Sequence, residues 1–244
     1  MSGGGDGLKL SRREFLISAA IISSATLYSY LETQRILMTR LEMGLGSKLA
    51  FIVDTHTHDF GAVEREVVRI LGEEDPDMIL LGGDIIDEFT SSLKPVRRYL
   101  SQLEAKEKYA VLGNHDYWCG RAGDLVAMLK DLGFKVLRDG FADTRIGRIF
   151  GVDWRDDRNY PSNIKGDLIL THDPNAAKSS EGKIILAGHT HGGVVIGGVT
   201  IFSNSIYTRG LYRLGDDKIL YVSRGLGQMY PLRPTSPLEL VILE

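Results

Sequence analysis

Short apolar runs that are followed closely by Asp or Asn are the feature that most constrains the fold of this chain. Three of these runs indicate buried strands, at residues 48–53, 78–81 and 109–112. Each is followed by apolar residues at helical spacing, at residues 63–71, 95–103 and 125–132. A repeated order of strand, loop and helix predicts an α/β fold whose first sheet is mainly parallel.

The second half of the chain is richer in strand patterns than the first. The candidate strands occupy residues 146–152, 168–170, 184–186, 194–201, 219–222 and 238–243. Asp173 followed by Pro174 predicts an N-cap and the first residue of a helix. We therefore predict an α/β protein in which two sheets form a β-sandwich flanked by helices, in four layers ordered αββα.

Length and charge exclude several classes of protein. A chain of 244 residues suits one domain with a sizeable core plus an N-terminal appendage. A net charge of -3 argues against a basic surface, so we expect no nucleic-acid partner. Cys119 is the only cysteine, so no internal disulfide supports the fold.

The N-terminal region has the layout of an export signal. Residues 1–7 are rich in Gly, and residues 11–16 read Ser-Arg-Arg-Glu-Phe-Leu, which resembles the twin-arginine signal closely. An uncharged, moderately apolar stretch follows at residues 17–30. We predict that the twin-arginine machinery exports the chain to the periplasm, the cell exterior or the outer face of the cytoplasmic membrane.

Two questions about this region stay open in the sequence. Small residues at 23–25 would suit cleavage, but they form no clean Ala-x-Ala, so an uncleaved membrane anchor is an equal alternative. An ordinary amphipathic helix that begins with two arginines is the competing structural interpretation. We predict a helical or irregular connector at residues 32–47, which places the signal or anchor with its connector at residues 1–47 and the catalytic domain at residues 48–244.

All six histidines of the chain lie in or next to loops that follow apolar runs. They are His56, His58, His115, His172, His189 and His191. A single such His is commonly a structural residue, but six in equivalent places indicate a metal site. Asp54, Asp84 and Asn114 end the first three strands, and loops at the carboxyl edge of such a sheet converge on one pocket.

Seven side chains are candidate metal ligands: Asp54, His56, Asp84, Asn114, His172, His189 and His191. Seven ligands are too many for one tetrahedral site but suit two metal ions that share a carboxylate. The mixture of imidazole and carboxylate favours Mn, Fe or Zn over Ca. Two such ions, about 3.5–4 Å apart, would activate a bridging hydroxide and clamp phosphate oxygens.

In order along the chain, these motifs resemble those of the calcineurin-like metallophosphoesterases. They are Asp54-x-His56, Gly83-Asp84, Gly113-Asn114-His115-Asp116, His172 and Gly188-His189-x-His191. The resemblance spans residues 48–244 and is strongest to a twin-arginine-exported bacterial phosphodiesterase branch. Its further marks are residues 76–84, 188–193 and 223–227.

The resemblance implies a role for each site residue. Asp54, His56 and His191 would bind one divalent ion, and Asn114, His172 and His189 would bind the other. Asp84 would bridge the two ions, with Mn²⁺ favoured and Fe, Zn or Ni as alternatives. His115 would donate a proton to the leaving group or stabilise phosphoryl charge, while Asp116 would either orient His115 or close its loop.

The expected activity is hydrolysis of a phosphodiester or pyrophosphate bond in a small-molecule or lipid-linked substrate. Tyr117, Trp118 and Phe89 would form an apolar lip for such a substrate, or else pack in the core. Arg155, Arg158 and Asn159 would contact phosphate, or else form a solvated loop; Arg224 and Arg233 are equally ambiguous. Tethering through the N-terminus would bring the enzyme to envelope lipids.

One departure from the family's motifs supports a different class of enzyme. His58 extends the first motif to Asp-x-His-x-His, which resembles the first motif of metal-dependent barrel hydrolases. His58 would be a ligand, a substrate contact or a donor to a ligand, and we favour the last two. Against the barrel, too few residues remain for eight strand–helix units. A non-catalytic metal-binding protein is a further alternative, but it would have little reason to keep His115.

Overall fold

The computed structural model describes residues 11–244, so the Gly-rich residues 1–7 lie outside the described part. The helices are α1 (Arg12–Glu32), α2 (Ala62–Glu74), α3 (Leu93–Leu100), α4 (Asn114–Trp118) and α5 (Ala122–Asp131), with a 3-10 helix at Pro174–Ser179. The strands of the first half are β1 (Ile36–Leu41), β2 (Leu49–Ile52), β3 (Met78–Leu81), β4 (Glu107–Ala110), β5 (Lys135–Val136), β6 (Gly140–Thr144) and β7 (Gly147–Val152). Those of the second half are β8 (Ile164–Thr171), β9 (Ser180–Ala187), β10 (Val194–Ile196), β11 (Val199–Phe202), β12 (Gly210–Arg213), β13 (Ile219–Val222) and β14 (Leu238–Leu243).

Two six-stranded sheets form the centre of the fold. The first has the strand order β1-β14-β2-β3-β4-β5, and the second has the order β12-β13-β9-β8-β7-β6. Strands β2 to β5 are mutually parallel, as are β7, β8, β9 and β13. The predicted α/β class with two sheets flanked by helices is confirmed. Because both sheets are open, the structure argues against the alternative of a barrel hydrolase.

Alternating side chains of the first sheet enter two different cores. In β2, Ala50 and Ile52 pack beneath helices α2, α3 and α5, while Leu49 and Phe51 face the second sheet. Because both faces are covered, every residue of β2 and β3 is buried, which explains their unbroken apolar runs. The 3-10 helix covers the outer face of the second sheet, where Asp173 caps it by accepting from the N–H of Asn175, as predicted.

The predicted helical or irregular connector at residues 32–47 is wrong over Ile36–Leu41. This segment is strand β1, which pairs in parallel with β14 from Ile36 opposite Leu238 to Leu41 opposite Leu243. Its side chains are only partly buried, so it lacks the apolar run that marked the other strands. The sequence signal for such an edge strand is weak because one side of it faces solvent.

The predicted strand at residues 194–201 is instead a hairpin of β10 and β11. Gly197 and Gly198 both have positive φ angles, and they make the tight turn between the two strands. The pair forms a separate two-stranded sheet among the described residues, and all four residues of β11 are exposed.

Helix α1 begins with a capping box, in which Ser11 and Glu14 each accept a backbone N–H of the other. It is long and apolar enough to cross a membrane, by length and composition. Phe15, Leu16 and Ile17 are consecutive and all exposed, so apolar side chains surround the helix axis instead of forming one stripe. This arrangement favours a signal or anchor over an amphipathic surface helix.

Candidate metal centre

Loops from both sheets meet at one edge of the sandwich and form two groups of metal-ligating side chains. The first group contains Asp54, His56 and His191, and the second contains Asp84, His172 and His189. Within each group the ligand atoms lie within 4.8 Å of one another. Five of these six residues are buried, and His191 is intermediate.

Asp84 belongs to the second group, but its carboxylate also faces the first. Its Oδ2 is 3.1 Å from Nε2 of His172 and 3.7 Å from Nε2 of His56. Its Oδ1 accepts the backbone N–H of His115 at 2.8 Å, which holds the carboxylate in place. One side chain therefore reaches a ligand of each group, as a bridging carboxylate must.

Asn114 completes the second group, although it is not an acid or imidazole. Its Oδ1 lies 3.1 Å from Nε2 of His172, and the residue is buried. The structure therefore brings all seven predicted ligands into one cluster.

Strained backbone positions hold this cluster together. Positive φ angles occur at Asp54, His56, Asp84, His189 and His191. Non-Gly residues rarely adopt this region, and they persist in it where the surrounding structure demands it. At Gly113, a Cβ atom would collide with the carboxylate of Asp84, so only glycine allows these two loops to approach.

Hydrogen bonds orient the imidazole rings. Nδ1 of His172 donates to the carbonyl of Gly82 at 3.0 Å, and Nδ1 of His191 donates to that of Gly227 at 3.1 Å. Each bond leaves Nε2 of the ring turned toward the centre, which is the arrangement that fixes a metal-binding histidine.

His56 and His189 are held by Asp87 and Asn204, which sequence reasoning missed, and by Arg158, for which it proposed a phosphate contact or a solvated loop. Nδ1 of His56 lies 3.0 Å from Oδ2 of Asp87. His189 has the opposite orientation, with Nδ1 toward His172 at 3.2 Å and Nε2 next to Arg158 at 2.7 Å and Asn204 at 3.1 Å. Three acids among residues 84–88 were the available signal for Asp87.

The side chains present fit a pair of divalent cations. Nε2 of His56 is buried and has no hydrogen-bond partner within residues 11–244, although it points toward Asp84. A buried nitrogen without a partner costs about 1–3 kcal/mol, and a bound cation would satisfy it. Imidazole and carboxylate donors together suit Mn, Fe, Zn or Ni.

Burial and charge shift the pKa values in this cluster. Burial alone would lower the pKa of His172, but the carboxylates of Asp84 and Asp54 raise it to about 9. Burial raises the pKa of Asp54 to about 6, despite the opposing charge of His172. Burial and then the charge of His172 lower the pKa of His189 to about 2. The charges of His172 and of the two carboxylates thus favour one another's ionised forms.

Metal binding is therefore expected to release protons and to strengthen as pH rises. Because the pKa of His172 is raised to about 9, this ring is protonated near neutral pH and must lose its proton to become a ligand. Affinity should rise about tenfold per pH unit and per proton released, up to the pKa of His172. Calorimetry of Mn²⁺ binding in buffers of different ionisation enthalpy measures the proton count; equal affinity between about pH 6 and pH 8 would contradict this linkage.

His115 lies beside the ligand groups and lines the adjoining cavity. Its Nδ1 is 2.8 Å from Oε2 of Glu88, which leaves Nε2 as the ring nitrogen available to a substrate. The ring centroid lies 5.3 Å from that of His56. This geometry fits a proton donor at the edge of the metal centre, and Glu88 is its orienting residue.

Asp116, predicted as a catalytic residue, closes a loop in this structure. Its Oδ1 accepts the backbone N–H groups of Ile85 and Ile86 at 2.9 and 3.0 Å, and its Oδ2 accepts that of Gly113 at 2.9 Å. The carboxylate joins the loops that carry Asp84 and Asn114. Of the two predicted roles, this geometry matches loop closure, and Glu88 orients His115 instead.

Among the described residues, His58 belongs to neither ligand group. Its Nε2 lies 2.8 Å from both carboxylate oxygens of Asp87, the residue that also holds His56. His58 therefore reaches the predicted ligand His56 through Asp87, which matches one of the two roles favoured by the sequence.

A cavity of about 390 Å³ opens next to the metal centre, and most of its lining surface is apolar. Its lining includes His115 and His191 from the site, together with the exposed apolar side chains Phe202, Tyr230 and Leu232. Its volume is in the range of small-molecule sites. A substrate that joins a phosphate to an apolar group would match this distribution.

The aromatic and basic residues whose roles the sequence left open differ in exposure and in their partners. Phe89 and Trp118 are about half exposed, whereas Tyr117 donates its hydroxyl to Asp153 at 2.5 Å. Arg158 reaches His189, and Arg155 pairs with Asp139.

Arg224 and Arg233 support the structure around the site. Arg224 pairs with the buried Glu239 at 2.7 Å. Arg233 is buried and donates to backbone carbonyls, including that of Gly225 at 3.1 Å. Through these contacts both residues stabilise the loops around the site. Arg233 also lines the cavity.

Comparison with known proteins gives one consistent result. Residues 47–193 match the family model described as calcineurin-like phosphoesterase. An Aquifex aeolicus protein named as a metallophosphoesterase is 31% identical over 88% of this chain and 94% of its own length. Phosphodiesterase YaeI of Escherichia coli is 27% identical over 96% of this chain and 99% of its own length. A solved 5'-nucleotidase precursor from Thermus thermophilus shares the fold, with a TM-score of 0.50 and 17% identity over 74% of this chain and 49% of that one.

Proposed function

Because this chain belongs to the calcineurin-like phosphoesterase family, and is thus a metal-dependent phosphoester hydrolase, we propose that it is a dinuclear phosphodiesterase. Its substrate would contain a phosphodiester or pyrophosphate bond. The position of Asp84 carries the proposal, because its carboxylate contacts a histidine of each ligand group.

The two ligand groups support a division of the predicted ligands between two ions. Asp54, His56 and His191 would bind one ion, and Asn114, His172 and His189 would bind the other, with Asp84 shared. Mn²⁺ is favoured because the donors are imidazole, carboxylate and amide, without thiolate. When bound, the pair of ions would lower the pKa of a water molecule and neutralise phosphate charge.

The protein's own side chains would then position and protonate the substrate. As an imidazolium, His115 would donate the proton on Nε2 to the leaving oxygen and become neutral, while Nδ1–H keeps donating to Glu88. Arg158 lies 2.7 Å from Nε2 of His189 and would pair with a phosphate oxygen. The apolar cavity would receive the group attached to the phosphate.

Helix α1 supports a location outside the cytoplasm for the enzyme. The twin-arginine motif at its start and its length support export with the helix as a signal or anchor. A retained helix would keep the catalytic domain at the outer face of the cytoplasmic membrane. Lipid-linked phosphodiesters would then be within reach, and they match a cavity that joins a cationic centre to an apolar lining.

Asp87 is expected to control metal affinity without being a ligand. An Asp87→Asn variant keeps the size of the side chain but loses the negative charge that holds Nδ1 of His56. Loss of such a partner weakens metal binding about 10–100-fold, which a competition assay with a chelating dye would measure. His58→Gln should have a smaller effect, since Asp87 would still hold His56; unchanged affinity in Asp87→Asn would refute this role.

The preference for diesters can be tested with two chromogenic substrates. The full chain, loaded with Mn²⁺ in detergent, should hydrolyse bis-p-nitrophenyl phosphate faster than p-nitrophenyl phosphate. The full chain is needed because removal of residues before 48 would delete strand β1. Faster monoester hydrolysis would replace the diesterase assignment with a phosphomonoesterase.

A further inference from the structure

Three chain segments without charged side chains surround the catalytic cavity and the groove that adjoins it along helix α1. They are residues 15–31 in helix α1, residues 192–208 around the β10–β11 hairpin, and residues 225–232. We define the surface that they form as the apolar face. Soluble proteins rarely expose a large continuous apolar area unless it binds something.

The hairpin is the most exposed part of the apolar face. Ile196, Val199, Ile201 and Phe202 are each 61–67% exposed. Val199 and Ile201 lie on one side of strand β11 and Phe202 on the other, because side chains alternate along a strand. The hairpin therefore presents apolar groups on both sides, and an isolated two-stranded hairpin has little stability of its own in water.

The loop at residues 228–234 connects the cavity to helix α1. Leu232 lines the catalytic cavity and also the groove along α1, where it lies near Leu27 and Tyr30. The backbone N–H of Arg233 donates to the carbonyl of Ser29 at 3.1 Å, which fixes the helix against this loop. The long apolar helix and the cavity mouth are thus parts of one surface.

We propose that the apolar face docks on the surface of a phospholipid bilayer, with the hairpin inserted and the catalytic cavity open toward the lipids. Helix α1 supplies the argument for a bilayer: it is exposed, apolar on all sides and of membrane-spanning length, and it joins the face directly. A protein partner would instead cover one side of the hairpin and present a polar rim.

Docking would give the cavity a defined substrate source. A lipid-linked phosphodiester would move from the bilayer past Phe202 and Leu232 toward His115 with its apolar part against the cavity lining. This step rests on the proposed phosphodiesterase function, whereas the docking itself does not.

Fluorescent labels on the full chain can test docking without any assay of activity. In a Cys119→Ser background, Val199→Cys would carry a polarity-sensitive dye, and Phe141→Cys would carry the same dye as the control. Phe141 is also apolar and more than half exposed, but it lies on β6, at the opposite edge of the second sheet from β12. The vesicles would contain phosphatidylcholine and phosphatidylglycerol with an acyl-chain quencher, and flotation would confirm that both labelled chains are bound.

The label at position 199 should be quenched and blue-shifted on vesicles, whereas the label at position 141 should not change. Equal signals at the two positions on vesicle-bound protein would overturn docking. A blue shift at position 199 that already accompanies a dimer in dilute detergent would also overturn it, with a second copy of the chain as the occupant.

A pair of substrates links docking to catalysis. A Val199→Ser/Ile201→Ser variant should hydrolyse soluble bis-p-nitrophenyl phosphate at the unmodified rate. On a long-chain alkyl p-nitrophenyl phosphodiester embedded in vesicles it should be at least about tenfold slower. The reason is that it lacks the two aliphatic side chains that would insert into the bilayer. Phe141→Ser should leave both rates unchanged.

The two assays separate the two proposals. Loss of rate on both substrates in the Val199→Ser/Ile201→Ser variant would contradict a specific docking role for the hairpin. Failure of the unmodified chain on the soluble diester would refute the proposed function alone, since the quenching at position 199 would still establish docking.

Discussion

Replacement of Asp84 with Asn is expected to lower kcat for diester hydrolysis at least about a thousandfold, a loss of roughly 4 kcal/mol of transition-state stabilisation. The amide keeps the shape of the side chain but removes the negative charge that lies between His56 and His172. It also loses one of two oxygens that could bind ions. The variant should therefore bind fewer than two Mn²⁺ ions per chain, as elemental analysis would show.

Asp131→Asn provides the matched control for this prediction. The same chemical change is made there at an exposed residue on helix α5, whose carboxylate pairs with Arg97 far from the site. Its activity and metal content should equal those of the unmodified chain. Two tightly bound ions and undiminished turnover in Asp84→Asn would show that this carboxylate does not bridge the ions.

His115→Ala is expected to lower kcat about 100- to 10,000-fold, the usual range for a general acid, while both ions stay bound. His115 belongs to neither ligand group among the described residues, so its removal should not empty the site. The effect should depend on the leaving group. Nitrophenolate departs readily without a proton, so a diester with an alkoxide leaving group should suffer the larger loss.

Glu88→Gln is the companion variant that isolates the orienting hydrogen bond. Its amide can still contact Nδ1 of His115, so kcat should fall less than in His115→Ala. A loss of bound metal in His115→Ala would make this residue a ligand. Equal rate losses of His115→Ala on diesters with aryl and alkyl leaving groups would show that His115 does not donate a proton to the leaving group.

The sequence revealed the site better than it revealed the edges of the fold. Buried strands β2 and β3 had unbroken apolar runs because both of their faces are covered, and the ligands follow directly from their ends. Strand β1 was missed because its partly exposed side chains give no such run. Its identity depends on its pairing with β14, about 200 residues later in the chain, which local patterns cannot record.

The residues that orient the imidazole rings of the site were harder to predict than the histidines themselves. Asp87, Glu88 and Arg158 act through contacts with rings that lie about 30 residues away in sequence. Several acids follow Asp84 closely, and only the three-dimensional path of the loop decides which ring each one meets. Asp116 illustrates the same limit, since its two predicted roles differed only in the direction of its carboxylate.

The most direct test of the dinuclear mechanism is a titration of Mn²⁺ into the chelator-treated full chain, with bis-p-nitrophenyl phosphate hydrolysis and bound ions measured together. The arrangement of Asp84 between the two ligand groups predicts no turnover without metal and a rate that reaches its maximum at two ions per chain. Full turnover with a single bound ion, or none with two, would contradict it.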